Sequence, residues 1–367
     1  MVILLNQQEI FMNIILMSGA AVNAGDFLIV KRSMELLRHC FYQCEIKVIN
    51  RLHSCDDMVD ELNAGDAIVW AGGPLFQPNI YPQSLPFVTD LDKITIPQFT
   101  IGLGWKGENL SDKSVYDYKF SDKTYGFVTK MSESNAKISC RDFFTLRMLK
   151  NNGIDNCSMT GCPAWYDLKR IDKLTVNKKI EEVKKICISD PWRYSSYYQV
   201  IELLKLLRRR FSKAKLCFIY HRGNTQEVCG TEQFNEILKL EDRLKENNVE
   251  SFDISGSEEG FHIYDDCDLH IGWRVHAHIY NMSIRNLSIL IEEDARGGGF
   301  NEILGMQSIK AYENNLKDKN QYLVRAIDDG IDRLIHTNYF EIEKGFYIMK
   351  EYFKKMEDHI ESLKQIL

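Results

Sequence analysis

The chain has 367 residues, more than one ordinary hydrophobic core accommodates, and this length predicts two domains. Its 44% hydrophobic and 27% charged residues are typical of a soluble globular protein, and its 19 Phe, 17 Tyr and 5 Trp exclude a chain that is disordered throughout. The formal net charge of -6 argues against a nucleic-acid-binding protein that depends on bulk positive charge.

The start of the chain carries no recognisable targeting signal, because a basic n-region is missing and polar residues 6–9 interrupt its apolar stretch. No segment reaches the roughly 18 consecutive apolar residues that a membrane span requires. The ten Cys include no CxxC pair and are expected to be reduced thiols of a cytoplasmic protein. Met12 opens the first clear strand, so residues 1–11 are predicted to be a short extension.

A pattern of strand, turn and helix repeats along the first half of the chain. The predicted strands are Asn13–Met17, Ala67–Trp70, Ile96–Ile101 and Ala136–Cys140, and the predicted helices are Phe27–Cys40 and Phe143–Asn151. Asp142 is a good N-cap for the second helix, and Gly153 is a good stop for it. Strands that alternate with helices indicate a parallel sheet with helices on both faces.

The same pattern restarts after residues 166–185, a segment rich in Lys and Asp that we predict to be the interdomain linker. The predicted strands are Ile186–Ser189, Leu216–Tyr220, Glu250–Ile254, Leu269–Gly272 and Leu287–Glu292, and the predicted helices are Tyr197–Phe211, Thr231–Asn247, Arg274–Met282, Asn301–Leu304 and a helical tail over Leu323–Leu367. We therefore expect an N-terminal domain over residues 1–170, a C-terminal domain over residues 171–340, and a terminal helix over residues 341–367. That helix either packs back on the N-terminal domain or forms a dimer contact.

In open parallel sheets, ligands bind at the carboxyl ends of the strands, so the residues that follow each strand are the candidates for a site. Arg274 and His276 follow the strand Leu269–Gly272 and lie in the first turn of the next helix. A helix N-terminus that adds a guanidinium and an imidazole suits an anion such as a phosphate or a carboxylate. The alternative is that Arg274 pairs with a carboxylate and His278 packs in the core.

The next strand ends in Asp294-Ala295-Arg296, followed by three glycines at positions 297–299 and a predicted helix. Arg296 can supply a second positive charge, and Gly297 and Gly298 in a turn before that helix can let backbone N–H groups approach a ligand. A flexible turn is the commoner meaning of such a run. The glycine run lies one strand after Arg274, and this position favours a site that both segments share.

Arg141 directly follows a strand of the first half, where it either faces the cleft or pairs with Asp142. The loop Ala21–Asp26 and the turn Gly72-Gly73 lie at the same predicted edge, although these residues can also serve only as a cap and a turn. His and Asp residues crowd positions 262–278, but positions 276 and 278 point apart on a helix, so we expect no metal site. The sequence contains no Walker A, GxGxxG or GxSxG motif.

These motifs together resemble the polysaccharide pyruvyl transferase family. The matching pieces, in chain order, are Asn23-Ala24-Gly25-Asp26, Gly72-Gly73, Gly102-Leu103-Gly104, the stretch ISCRDFFTLRMLKNNG, and Asp268 followed by Arg274-Val275-His276-Ala277. The resemblance implies a GT-B-like α/β fold, in which two Rossmann-like doubly wound domains face a cleft and a helical tail ends the chain.

Members of this family transfer the enolpyruvyl unit of phosphoenolpyruvate to a sugar, commonly as a cyclic ketal. The resemblance implies catalytic roles for Arg141, Arg274 and His276, a donor site that also includes Arg296, Gly297 and Gly298, and an acceptor site that includes Asn23, Asp26, Gly72 and Gly73. Arg296 stands where the family often has a Lys, and its planar fork differs from a point charge. Phosphoenolpyruvate is then a co-substrate, and no further cofactor is expected.

The residues suit this chemistry independently of the resemblance. Phosphoenolpyruvate carries a phosphate and a carboxylate, and it therefore needs several cations in a confined space. Its methylene carbon is protonated, a sugar hydroxyl attacks the oxocarbenium-like C2, and phosphate leaves as a second hydroxyl closes the ring. We expect His276 to be the acid or base of these steps, with Arg141, Arg274 and Arg296 holding the anion.

The acceptor is expected to be a lipid-linked oligosaccharide precursor bound by the first domain, with Asp26 as a candidate base. This predicts a cytoplasmic enzyme that can associate peripherally with the inner face of the membrane, and it predicts no nucleic-acid partner; a homo-oligomer is compatible with it. Two runs of basic residues can add local basic character, or they only form a solvated helix face. They are Lys178, Lys179, Lys184 and Lys185, and Arg208–Arg210.

Two other functions share such a fold, because a fold alone does not decide function. A GT-B glycosyltransferase would place the diphosphate of a nucleotide sugar in the same anion site, with Glu292, Glu293 or Asp294 on the ribose hydroxyls. A non-catalytic sugar-binding or scaffold protein is the second alternative. The three candidate catalytic residues, present together, argue against that second alternative.

Overall fold

The computed structural model describes residues 11–107, 112–133, 136–311 and 319–367, so the predicted extension lies outside it except for its last residue. The strands are β1 (Met12–Ser18), β2 (Cys44–Asn50), β3 (Ala67–Ala71), β4 (Gln98–Ile101), β5 (Ile138–Cys140), β6 (Cys157–Met159), β7 (Lys185–Ser189), β8 (Lys215–Tyr220), β9 (Glu250–Asp253), β10 (Leu269–Gly272), β11 (Leu287–Glu292) and β12 (Ile309–Lys310). The helices are α1 (Ala24–Cys40), α2 (Val59–Asn63), α3 (Asp112–Tyr116), α4 (Asp122–Ser132), α5 (Phe143–Asn151), α6 (Tyr197–Arg210), α7 (Gln226–Glu246), α8 (Val275–Ser283), α9 (Ala295–Leu304), α10 (Lys319–His336) and α11 (Phe340–Glu361).

The first sheet consists of parallel strands in the order β2-β1-β3-β4. A bridge between Leu103 and Cys140 extends it to the parallel pair β5-β6. Every residue of β3 and β4 is buried, as expected for a parallel sheet whose two faces are both covered. Strand β2 escaped the sequence analysis because it alternates apolar and charged residues and exposes Glu45 and Lys47 at the edge of the sheet.

The second sheet is also parallel, with the order β12-β11-β10-β7-β8-β9. This is the strand order of dinucleotide-binding α/β folds. The strand order reverses between β7 and β10 here, and between β1 and β3 in the first sheet. Connections on the two sides of such a point leave to opposite faces, which opens a crevice at the carboxyl ends of the strands. The predicted α/β class with doubly wound parallel sheets is confirmed.

The two sheets share one continuous hydrophobic core, to which Leu16 of β1 and Ile188 of β7 both belong. At the N-terminus of α1, the backbone N–H of Ala24 donates to the carbonyl oxygen of His221 in the second half, over 2.9 Å. The start of α1 therefore rests on the carboxyl ends of the second sheet, and this contact positions the site.

The last long helix, α11, packs against the first sheet. His359 Nε2 lies 2.8 Å from the carbonyl oxygen of Thr100, and the His359 ring stacks on Phe99 with centroids 4.4 Å apart. At the surface, His39 Nε2 lies 2.8 Å from the carboxylate of Glu357. The chain thus crosses back from the second half to the first, while the domain boundaries at residues 170 and 340 stay predictions.

Several of the basic residues considered for a membrane surface are engaged in ion pairs. Lys178 Nζ lies 2.6 Å from Asp268, a residue of the family motif, which also accepts backbone N–H groups from the start of β7. Arg210 pairs with both Asp328 and Asp332, which ties α6 to α10. Within the described ranges, no helix is both long and apolar enough to cross a bilayer.

Candidate active site

The point at which the second sheet reverses its strand order positions the backbone of Arg274. Ser189 Oγ, at the end of β7, accepts a hydrogen bond from Arg274 N over 3.1 Å and lies 2.9 Å from His270 Nε2. A Cβ at Gly272 would overlap Ser189 Oγ, so only glycine allows β10 to run this close. Arg274 is thereby fixed as the residue that precedes helix α8.

The Arg274 guanidinium forms a two-bond fork with Asp190, the residue that follows β7. Nε lies 2.7 Å from Oδ1 and Nη2 lies 2.5 Å from Oδ2. Asp190 also accepts the backbone N–H of His221 over 3.1 Å. Burial disfavours the charged guanidinium, but the adjacent Asp190 carboxylate raises the pKa of Arg274 on balance. Asp190 therefore orients Arg274, and the sequence alternative that Arg274 pairs with a carboxylate holds. Arg274 nevertheless lines a cavity.

Arg296 and the glycines after it belong to one helix. The Asp294 side chain accepts the backbone N–H of Arg296 over 2.9 Å, and this cap starts α9 at Ala295. The predicted Gly-rich turn before a helix at Asn301 is therefore wrong. Gly297 and Gly298 are buried helical residues that line neither cavity described below. A Cβ at Gly297 would lie 3.1 Å from side-chain carbons of β11, so tight helix–sheet packing accounts for that glycine.

Arg141 follows β5 in the first half and is held by two acceptors. Its Nε lies 3.3 Å from Asp142 Oδ2, and its Nη2 lies 3.3 Å from the carbonyl oxygen of Trp105. A Cβ at Gly104 would overlap the guanidinium, so this glycine leaves the space that Arg141 occupies. Asp142 also accepts the Thr145 N–H over 2.7 Å, which confirms it as the N-cap of α5.

The three arginines share one pattern of hydrogen bonds. Arg141, Arg274 and Arg296 each use Nε and Nη2 on local acceptors, Arg296 through a fork on Asp294. Their Nη1 groups donate to no acceptor within the described part of the chain. Each guanidinium is thus fixed along one edge and keeps two N–H donors for a ligand.

His276 lies between these arginines, on the first turn of α8. Its ring packs on Gly25 of α1 so closely that a Cβ at Gly25 would overlap His276 Nδ1. Burial, with the charges of Arg141 and Arg296, lowers the pKa of His276 to about 3. The imidazole is therefore neutral at neutral pH before any anion binds, and in that state it can accept a proton.

His278 has a different environment, which separates it from the site. Its Nδ1 lies 2.7 Å from Ser288 Oγ, the hydroxyl that also contacts His270 Nδ1 over 2.8 Å. Both imidazoles are fully buried. His278 is therefore a core residue, as the alternative interpretation of the sequence stated, while His276 faces the cavities.

The buried imidazoles predict a loss of stability in acid. Burial lowers the pKa values of His276 and His278 to about 3 and that of His359 to about 4, and it also lowers those of His221 and His270 well below 6.5. The unfolded chain binds these protons first, so stability is complete above about pH 6.5 and falls as the pH decreases toward the folded values. Each group removes on the order of 2 kcal/mol at about pH 5.

Urea unfolding at pH 7.5 and pH 5.0 measures this effect as a decrease in the free energy of unfolding. His359→Gln is the matched variant, because glutamine can still donate to the Thr100 carbonyl without titrating. In this variant, the decrease in the free energy of unfolding between the two pH values should be smaller by the contribution of His359. A free energy of unfolding that does not change between the two pH values would contradict the argument.

Two adjoining cavities occupy the carboxyl ends of the two sheets. The smaller, of about 250 Å³, is lined by Arg141, Asp142, Trp165, Val275, His276, Ile279, Arg296 and Phe300. The larger, of about 500 Å³, is lined by Asn23, Trp192, His221, Arg222, Trp273, Arg274, Val275, His276, Glu293, Asp294 and Arg296. His276 and Arg296 line both, so the four cationic or imidazole residues predicted from the sequence line two cavities that share part of their walls.

The predicted acceptor residues divide into two groups. Asn23 lines the larger cavity and donates from Nδ2 to Asp26 Oδ2 over 3.1 Å. Burial raises the pKa of Asp26, against the opposing effects of Asn23 and of nearby arginines. Gly72 and Gly73 have φ of 32° and 77° and form the turn after β3, where the Gly72 carbonyl accepts from the buried Arg51. Asp26 and the two glycines line neither cavity.

Other functional candidates were missed by the sequence analysis. Arg51 follows the unpredicted strand β2, and Asp190 and Arg222 follow β7 and β8, so a scan of the residues after every strand would have found them. Glu293 was considered only as a residue that contacts a ribose. Burial raises its pKa to about 7, although the hydrogen bonds from Trp192 N and Arg193 N lower it. No group of three metal-ligating side chains converges within the residues that the structure describes.

Comparisons with known proteins bear on the family and the fold of the chain. The family model described as polysaccharide pyruvyl transferase matches residues 23–280. A search of curated protein sequences finds no significant match. Similar solved structures include MnaA of S. aureus with UDP (TM-score 0.58, 10% identity, 97% of this chain and 98% of that chain) and a UDP-GlcNAc 2-epimerase from Neisseria meningitidis bound to UDP-GlcNAc (0.53, 11%, 95% and 99%).

A third similar structure is a trehalose-6-phosphate protein from E. coli bound with UDP-2-fluoro glucose, with a TM-score of 0.54, 10% identity and coverage of 97% and 99%. At such low identities these structures show only the fold, which is that of GT-B glycosyltransferases and epimerases. The family model, by contrast, covers well over half of the chain, including Arg141, Arg274 and His276. The chain therefore belongs to the polysaccharide pyruvyl transferase family.

Proposed function

We propose that this protein transfers the pyruvyl unit of phosphoenolpyruvate to a sugar of a surface-polysaccharide precursor and forms a ketal. Membership of the family supports polysaccharide pyruvylation in general. The observation that supports this donor is the ring of anchored arginines, Arg141, Arg274 and Arg296, around the neutral imidazole of His276; among the described residues, none accepts a hydrogen bond from their Nη1 groups.

The charge and shape of phosphoenolpyruvate suit this ring. A carboxylate and a phosphate on adjacent groups require donors that converge from different directions, and the three arginines come from different strand ends of both sheets. A charge-assisted hydrogen bond contributes roughly 1.5–3 kcal/mol. The partner carboxylates hold the guanidinium groups in place before the donor arrives, which reduces the ordering cost of binding.

His276 is the residue that moves the proton in this proposal. Without ligand its pKa is about 3, first because it is buried and then because Arg141 and Arg296 are close. A bound anion offsets the charges of both arginines and raises the pKa of the imidazole toward its ordinary value. His276 can then accept a proton from the sugar hydroxyl and hold it as imidazolium beside the departing phosphate.

The reaction balances with two sugar hydroxyls. The imidazolium form of His276, whose pKa is raised once the anion is bound, gives its proton to the methylene carbon, which becomes the ketal methyl group. The proton of the first hydroxyl then returns to the imidazole, so His276 ends the cycle as it began. The first hydroxyl oxygen bonds to C2, the C2–O bond to phosphate breaks, and the second hydroxyl oxygen closes the ring as its proton leaves with phosphate. The arginines stabilise the negative charge that collects on the departing phosphate.

The co-substrate, the acceptor and the location of the reaction in the cell complete the proposed function. Phosphoenolpyruvate is the co-substrate and no further cofactor takes part. The acceptor is a lipid-linked oligosaccharide presented at the cytoplasmic face of the membrane, and the first half of the chain contributes to its binding through Asn23 and Asp26. The protein acts in the cytoplasm and approaches the membrane only from its surface.

Thermal unfolding with a panel of ligands tests the donor. Phosphoenolpyruvate at about 100 times its dissociation constant is expected to add roughly 2.7 kcal/mol to the stability, whereas UDP, UDP-sugars and GDP-sugars should add little. Arg141→Ala should weaken the effect of phosphoenolpyruvate, and Arg243→Ala, which removes only an exposed ion pair with Glu246, should not. Stabilisation by a nucleotide sugar without any effect of phosphoenolpyruvate would instead assign a glycosyltransferase.

A further inference from the structure

Trp192 differs from the other tryptophans of the chain in its exposure. Trp70, Trp105, Trp165 and Trp273 are 0–2% exposed, while Trp192 is 48% exposed. Burial of an indole is favourable, so an exposed one on the wall of a cavity calls for an explanation. Trp192 lies on the wall of the larger cavity, near the mouth of the site.

The backbone around Trp192 is held in place although its ring is exposed. Glu293 Oε2 accepts the N–H of Trp192 over 2.6 Å, and Glu293 Oε1 accepts the N–H of Arg193 over 3.3 Å. The Tyr194 hydroxyl, two residues after Trp192, lies 2.7 Å from the carboxylate of Glu232. This short loop after β7 is therefore fastened at two places, and the indole is presented on an ordered support.

The neighbours of Trp192 have the chemistry of a sugar site. A pyranose has an apolar C–H face, which packs on a flat aromatic ring, and an edge of hydroxyls, which needs donors and acceptors. Around the same cavity, Asn23 offers an amide, Arg222 offers a guanidinium and Glu293 offers a carboxyl group. His276 lines both this cavity and the smaller one, which Arg141 and Arg296 also line.

We propose that Trp192 is the platform on which the pyranose ring of the acceptor stacks, with the hydroxyls that receive the pyruvyl group directed toward His276. This inference rests on the proposed function in one respect, namely that the acceptor is a sugar. It places the acceptor across the cleft, between Asn23 of the first half and Trp192 of the second, and so extends the acceptor site beyond the first domain.

Quenching of tryptophan fluorescence by acrylamide tests the platform directly, because the four buried indoles are shielded from the quencher. Methyl β-galactopyranoside, methyl β-glucopyranoside and methyl α-mannopyranoside serve as probes, each at 100 mM and with phosphoenolpyruvate present. At least one of them is expected to reduce the quenchable fraction by half or more. Trp192→Phe should abolish the fraction of fluorescence that acrylamide quenches. Tyr42→Ala removes an exposed ring outside the cavity and should leave this fraction unchanged.

The outcomes separate this inference from the proposed function. In Trp192→Ala, the phosphoenolpyruvate concentration that gives the half-maximal thermal shift should stay within twofold of the wild-type value. Protection by UDP and by none of the pyranosides would overturn the inference and indicate a platform for a nucleobase. Lack of protection by every probe would also overturn it. Pyranoside protection without any thermal shift from phosphoenolpyruvate would support the platform and reject the proposed donor.

Discussion

His276→Ala is expected to lower the rate of pyruvyl transfer by about 10²–10⁴-fold, because a positioned acid or base contributes a factor of that size. The arginines stay in place, so the stabilisation by phosphoenolpyruvate should change far less than the rate. Phosphate release from phosphoenolpyruvate in the presence of acceptor measures the rate, and thermal unfolding measures the binding. His262→Ala is the control, since that imidazole is exposed and pairs with Asp265.

A second variant separates the position of the imidazole from its presence. Gly25→Ala keeps His276 but adds a methyl group that overlaps the His276 side chain, so the ring must leave its present position. A loss of rate comparable to that of His276→Ala is expected, again with the donor still bound. If folded His276→Ala protein turned over within a few-fold of the wild-type rate, the imidazole would have no part in proton transfer.

Loss of Arg274 is expected to have the second-largest effect, a decrease of about tenfold to a hundredfold in the affinity for phosphoenolpyruvate, as the energy of one charge-assisted hydrogen bond implies. Arg274→Ala alone also leaves Asp190 buried without its partner, which destabilises a protein by about 3–5 kcal/mol. The combined variant Arg274→Gln with Asp190→Asn avoids this lone charge and keeps a neutral pair at the same place.

Calorimetric titration with phosphoenolpyruvate gives the dissociation constants of the wild type and of the combined variant. Arg170→Ala is the matched control, because this half-exposed arginine pairs with Asp167 away from both cavities. It should bind the donor as the wild type does. Wild-type affinity in the folded combined variant would remove Arg274 from the donor site and leave the anion to Arg141 and Arg296.

The rule that parallel strands end at one edge of a sheet made much of the site predictable from the sequence. It places Arg141, Arg274, His276 and Arg296 near one another before any coordinates are known, and they line adjoining cavities in the structure. The same rule would have included Arg222, had it been applied after every strand. Asp142 was considered as a partner of Arg141, but Asp190 was not predictable as the partner of Arg274, because the two residues are 84 positions apart and meet only through strand order.

Two mistakes have local physical causes. The low helix propensity of Gly297 and its neighbours suggests a turn, but the Asp294 cap starts helix α9 before them. The close approach of α9 to β11 requires small residues at these positions. Strand β2 lies at an edge and is half exposed, so its apolar residues do not form the continuous run that marked the central strands. Burial, which lowers the pKa of His276, follows only from the packing of both halves.

The contact between Gly25 and His276 connects chemistry to the relative position of the two halves. The imidazole belongs to the second half, and the surface that supports it belongs to the first. A hinge motion that widened the cleft would lift the ring from its support, admit water to it and return its proton affinity toward that of a free imidazole. The basicity of His276 would then report whether the cleft is open or closed, so that an open molecule carries a charged imidazole in mild acid and a closed one does not.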